Sequence, residues 1–198
     1  MIRRYLNVVR GEENDAENME IEGSLLLTLD QMARLINSGF VKVIGGHRIS
    51  QIWLYNNGTE SSYSARVRAQ TPLKGNISPF DTSVLLDPNT TTTYTQTVKH
   101  KVTPMQSIEI TTDLTKRTYE MIANLNLSYP GVNEVVKDRY VLFCEGIDNM
   151  KILVTADEYI SGAGEGEKDM LRIEFELADA FDADSLNAWK VPPYFLNV

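Results

Sequence analysis

Apolar and polar positions alternate with a period of two along most of the chain, the spacing of strands that bury one face. Residues 19–27 (MEIEGSLLL), 41–44, 49–55 (ISQIWLY), 61–70, 94–102, 108–111, 134–144, 151–159 and 170–177 read as strands. Helical spacing occurs in two places. Residues 28–38 (TLDQMARLINS) put Leu29, Met32, Leu35 and Ile36 on one face, with Thr28 as N-cap, Gln31 at the capping-box position and Gly39 as the stop. Residues 113–126 carry a weaker stripe of Leu114, Tyr119, Ile122 and Leu125. Asn56-Asn57-Gly58 is a hairpin signal, and Asp148-Asn149 marks a second turn. Gly45-Gly46 reads as a turn between two strands, with His47 in the loop. The proline-containing segment 71–93 reads as a long loop, and 161–169 (SGAGEGEKD) as a shorter one. The tail, 178–198, is expected to form one helix before an irregular Pro192-Pro193 segment. Residues 1–18 turn acidic and polar and are read as an N-terminal arm, leaving 19–198 as a single domain without repeat or linker. Many strands without βαβ alternation predict a mostly antiparallel α+β or β-barrel fold.

The charges on these strands are arranged in an unusual way. Glu20 and Glu22, Arg66 and Arg68, Lys99 and Lys101, Lys137 and Arg139, and Glu174 and Glu176 are each two residues apart, and each pair keeps one sign. Glu109 stands alone in its strand, and Asp157 lies near the end of another. A solvated strand face explains any one pair. Like charges on one face repel, so the whole set calls for an environment that balances them. The interior of a closed antiparallel barrel is lined by alternate residues and can hold a ligand. Clustered Arg and Lys donors suit a polyphosphate. Carboxylates beside them suit Mg²⁺ or Mn²⁺, hard ions that take oxygen ligands.

Overall composition narrows the partners. The chain has 198 residues, with 27 Asp+Glu against 19 Lys+Arg and a net charge of −8. That balance disfavours a stable nucleic-acid partner or an anionic membrane surface. A single cysteine, Cys144, excludes an internal disulfide and a cysteine-built zinc site, and His47 and His100 are too few for a histidine metal centre. Cys144 is expected to pack in the core, His100 to serve a surface or packing role, and Trp53 and Trp189 to anchor the core or helices. No apolar run reaches membrane-spanning length, and a cytoplasmic location is expected.

The order of the charged pairs resembles the CYTH superfamily, the triphosphate tunnel metalloenzymes. The matching motifs are E-I-E at Glu20–Glu22, Q-I-W-L-Y at Gln51–Tyr55, R-V-R at Arg66–Arg68 and T-V-K at Thr97–Lys99. They continue with I-E-I around Glu109, K-D-R-Y at Lys137–Tyr140, T-A-D-E-Y at Thr155–Tyr159 and L-R-I-E-F-E-L at Leu171–Leu177. The resemblance implies an eight-stranded antiparallel β-barrel, or tunnel, with helices packed outside, and a Mg²⁺- or Mn²⁺-dependent site for a triphosphate-containing small molecule. It implies that Arg66, Arg68, Lys99, Lys101, Lys137 and Arg139 hold phosphate, and that Glu20, Glu22, Glu109, Asp157, Glu174 and Glu176 hold metal. Glu20, Glu22, Lys137 and Arg139 are the implied catalytic set. The implied activity is hydrolysis of inorganic, thiamine or nucleoside triphosphate. The alternatives are a class IV-type adenylyl cyclase and a non-catalytic nucleotide or polyphosphate binder that kept the tunnel. A homodimer is left open. Two departures stand out: Ser24 occupies the position of the family lysine, and Met105, Gln106 and Ser107 occupy the place of a family arginine. Both predict that binding outlasts fast turnover, unless a cation such as Lys74 compensates.

Overall fold

The computed structural model describes residues 19–54, 63–74, 91–101, 106–147, 152–164, 167, 169–178 and 191–198, with backbone alone at 19–22, 106–107 and 177–178. The arm at 1–18, the Asn56-Asn57-Gly58 and Asp148-Asn149 turns, most of the 71–93 segment and Trp189 lie outside these residues.

Eight strands follow in chain order: β1 (Met19–Thr28), β2 (Val41–Trp53), β3 (Tyr63–Pro72), β4 (Thr93–Lys101), β5 (Gln106–Asp113), β6 (Glu134–Cys144), β7 (Ile152–Ser161) and β8 (Met170–Ala178). Helix α1 (Leu29–Asn37) follows β1, α2 (Lys116–Leu127) follows β5, and a short turn, α3 (Pro193–Leu196), ends the chain. Every strand pairing is antiparallel. The order β1-β5-β4-β3-β2-β6-β7-β8 returns on itself as a closed barrel. The two seams of β1 are unequal. It meets β8 from Glu20 to Thr28 but β5 only from Met19 to Ile21.

Helix α1 begins as its sequence dictates. The Thr28 side chain accepts from the Gln31 backbone N–H, and the Gln31 side chain accepts from the Thr28 backbone N–H at 2.8 Å. Gly39 follows with φ of 82°, a conformation that side-chain-bearing residues rarely adopt. Three segments differ from the sequence reading. Pro193–Leu196 forms the short helix α3 where an irregular segment is expected, because proline is tolerated in a helix's first turn. Residues 41–53 form one strand, not two, with a bulge between Val43 and Gly45. Gly45, Gly46 and His47 are therefore strand residues. The reason for glycine is contact: a Cβ on Gly46 would lie 2.9 Å from the Arg139 carbonyl oxygen. Similarly, Thr71 and Pro72 extend β3 and belong to no loop.

The apolar side chains lie on the outer face of the barrel. Under α1 and α3, Met32, Leu35 and Phe195 pack on Leu27, Tyr140, Leu142, Cys144, Val154, Ala156, Leu171, Ile173 and Phe175. Under α2, Tyr119 and Ala123 pack on Ile52 and Val67. Each fully buried aliphatic side chain contributes about 1.5–3 kcal/mol. The helices thus cover the outside of the sheet, which leaves the inner row free to be polar. Cys144 is a core residue, its thiol pushed up to about 12 by burial. His100 stacks on Tyr63 with ring centroids 4.2 Å apart. Among the described residues no helix is long and apolar enough to cross a membrane.

Candidate polyanion site inside the barrel

Residues directly opposite in an antiparallel pair share a face. Following that rule round the ring places the charged positions on one face. Glu22 lies opposite Glu176, and Ser24 opposite Glu174. Glu174 faces Thr155, and Asp157 faces Arg172 across β7–β8 and Arg139 across β6–β7. Lys137 is opposite Ile49, and Gln51 is opposite Arg68. Arg66 is opposite Thr97, and Lys99 is opposite Glu109. Glu20 is opposite Ser107, which closes the row. This is the inward face, since the other row meets the helices. The register therefore puts every sequence-implied site residue on one inner wall.

Two ionic clusters stand on that wall. In the first, Arg66 Nη2 lies 3.2 Å from Glu109 Oε1 and Lys99 Nζ lies 3.6 Å from Glu109 Oε2. In the second, Arg139 donates from Nε to Asp157 Oδ1 and from Nη2 to Asp157 Oδ2, both at 2.7 Å. Lys137 Nζ also donates to Asp157 Oδ2, and Arg139 Nη2 to Glu174. Asp157 is completely buried, and Lys137 nearly so. Burial alone would raise the Asp157 carboxyl, but the hydrogen bonds and charges of Arg139 and Lys137 hold it below the usual carboxylate range. Burial and the neighbouring Arg139 lower Lys137 from its ordinary value despite Asp157. Arg139 itself is held up, because Asp157, Glu174 and Glu176 outweigh its burial.

Arg68 lies between these clusters and belongs to neither. Burial, reinforced by Arg66 and Arg139, pulls its guanidinium down to about 10, against the attraction of Glu109 and Asp157. Among the described residues it enters no ion pair, and its Nε has no hydrogen bond. The other buried side-chain atoms without a hydrogen bond are Gln51 Oε1, Arg66 Nε, Glu109 Oε2 and Arg172 Nε. All five belong to the inward row. Buried polar groups in folded proteins are normally satisfied, so their concentration on one wall points to something that the wall binds.

The remaining sequence-implied residues are less committed. Lys101 is exposed at the end of β4. Glu176 shares the inward row and enters no ion pair among the described residues, while its charge acts on Arg139. Glu20 and Glu22 are placed by backbone register alone. As a donor set, Glu20, Glu22, Glu174 and Glu176 fit a hard divalent cation, being carboxylates on the paired strands β1 and β8. Glu109 and Asp157 are engaged with cations, and Glu174 also meets Arg139 and Arg172. Among the described residues no three His, Cys, Asp or Glu side chains already converge as a metal site.

Two inward residues escape the sequence reading. Trp53 is no core anchor: it is 41% exposed, its backbone is opposite Arg66, and the Arg66 guanidinium carbon sits 5.4 Å from the ring centroid. Arg172 lies on β8 two residues before Glu174, with Nε 3.2 Å from Glu174 Oε1 and Nη1 3.2 Å from Glu167 Oε1. Counting back by two from Glu174 would have found Arg172. Counting forward from Gln51 would have found Trp53.

No protein-family model matches the chain, and no curated protein matches it by sequence. Among solved structures it is similar to the PH1819 protein of Pyrococcus horikoshii, with 14% identity and a TM-score of 0.55 over 85% of this chain and 82% of that one. A conserved hypothetical protein of Pyrococcus furiosus shows 10% identity and a TM-score of 0.52, covering 90% of this chain and 86% of its own. The PH1012 protein of Pyrococcus horikoshii shows 11% identity and a TM-score of 0.52, covering 85% and 83%. At these identities the likeness is one of fold.

Proposed function

We propose that the protein is a CYTH-type, divalent-metal-dependent triphosphate hydrolase that binds its substrate inside the barrel. The observation that carries this reading is Arg68, a largely buried guanidinium flanked by Arg66 and Arg139 and without a carboxylate partner among the described residues. A cation left this way is costly unless an anion completes it. With Arg66, Lys99, Lys137 and Arg139 around it, the fitting anion carries several charges, as a triphosphate does. Asp157 would keep Lys137 and Arg139 aimed inward before substrate arrives, so that little reorganisation is needed on binding. Arg66, Arg68 and Arg139 would supply planar donors to phosphate oxygens, and Lys99 and Lys137 point charges. Glu20, Glu22, Glu174 and Glu176 would hold Mg²⁺ or Mn²⁺, which when bound neutralises phosphate charge and acidifies a coordinated water.

The test is purified protein with Mg²⁺ or Mn²⁺ and inorganic, thiamine and nucleoside triphosphates, with products identified. Release of orthophosphate is expected. Cyclic nucleotide with pyrophosphate would make the protein a cyclase instead, and binding without product would make it a binder.

A further inference from the structure

The described cations of the inner wall cluster on β3, β4 and β6; the exposed Lys42 near the start of β2 and Arg172 on β8 stand apart from them. Arg172 is the sole Lys or Arg on the inward row of β7 and β8 among the described residues. Its electrostatic neighbours are Glu174, Tyr159 and Glu167, whereas those of Arg68 are Arg66, Arg139, Glu109 and Asp157. Arg172 therefore stands apart from the main cation cluster, on the carboxylate side of the barrel. Glu167, Glu174 and Tyr159 together favour its charge, yet they leave part of the guanidinium open. The side chain keeps 36% of its exposure, the contacts to Glu167 and Glu174 are both 3.2 Å, and Nε lacks a well-directed hydrogen bond. Its position also bears on Ser24. Ser24 lies opposite Glu174, and Arg172 is the next inward residue of β8, opposite Leu26. Diagonal neighbours of this kind are about 7–8 Å apart, within reach of a long side chain. The Arg172 guanidinium leans toward Glu174, the residue opposite Ser24.

We propose that Arg172 is a specificity-determining contact that reads the length of a bound polyphosphate. The proposal rests on the reading that the barrel binds triphosphate. A short anion centred on Arg66, Arg68 and Arg139 leaves Arg172 untouched. A longer one extends across the barrel toward β8 and gains a charge-assisted contact there. Arg172 then does from β8 what a cation at position 24 would do from β1.

The test is calorimetric titration, in chelator-containing buffer so that turnover stops, of inorganic triphosphate and of pyrophosphate. The proteins are wild type, Arg172→Gln, Arg172→Lys and the double variant Arg172→Gln/Ser24→Lys. Loss of one charge-assisted contact lowers affinity on the order of tenfold or more. Arg172→Gln is expected to lose that much for triphosphate while pyrophosphate binding stays close to wild type. Arg172→Lys should lose less, and Ser24→Lys should restore binding in the double variant. Equal losses for both anions, or no loss for either, would overturn the role of Arg172 with the triphosphate site left standing. Absence of triphosphate binding to wild type would overturn the site and this role together.

Discussion

Asp157 and Glu109 each meet two cations, yet the two carboxylates are held very differently. Asp157 is wholly buried and receives Arg139 through two 2.7 Å hydrogen bonds and Lys137 through a third. Glu109 keeps 20% side-chain exposure, meets Arg66 at 3.2 Å and Lys99 at 3.6 Å, and leaves Oε2 without a hydrogen bond. One wall of the barrel has its charges locked. The other holds them loosely, with Arg68 between the two and without an ion pair among the described residues. A locked pair orients cations but is expensive to break. A loose pair contributes little to stability and can exchange its partner for a ligand.

The largest expected effect breaks the locked side. Asp157→Ala leaves Lys137 buried without its counter-ion and Arg139 with Glu174 alone, and should destabilise the protein by about 3–5 kcal/mol in denaturant titration. Glu109→Gln should cost no more than about 1 kcal/mol in the same experiment, since its contacts are longer and partly solvated. Comparable losses at both sites would erase the distinction.

Acid sharpens the same contrast. The Asp157 carboxyl is held below its unfolded value of about 3.9, so its contribution is complete above that value. It is lost as pH falls through the lower folded value. Melting temperature followed downward from about pH 5 should therefore drop less steeply in Asp157→Asn than in wild type.

Arg68 should respond with the opposite sign. Its charge is largely buried and has no ion-pair partner among the described residues, so Arg68→Met should leave stability unchanged or raise it by about 1 kcal/mol, measured by thermal unfolding. A comparably small effect belongs to the outer face. Thr28→Ala removes the capping box of α1 and should cost about 1 kcal/mol, with no change in anion binding.

The inner wall was legible because a strand keeps period two: same-sign residues two apart remain on one face whatever the loops do. Lys137 with Arg139 and Glu174 with Glu176 show this directly. Which acid would be locked was not legible, because Asp157 and Glu109 look alike until the β6–β7 and β4–β5 registers are known. Arg172 was hidden by the change of sign along R-I-E-F-E, which breaks the pattern that revealed the others. Trp53 was misread because large aromatics are usually buried, and its place opposite Arg66 depends on pairing between distant residues. Gly45-Gly46 imitates a turn, whereas close approach to the Arg139 backbone is what demands glycine at Gly46.

The most direct test of an inward-facing anion site is calorimetric titration of inorganic triphosphate into wild type and Arg68→Met, with both melting temperatures recorded. Saturable binding to wild type is expected, weakened about ten- to a hundredfold in Arg68→Met without loss of stability. Equal affinity in the two proteins, or no binding to wild type, would contradict an anion site built around Arg68.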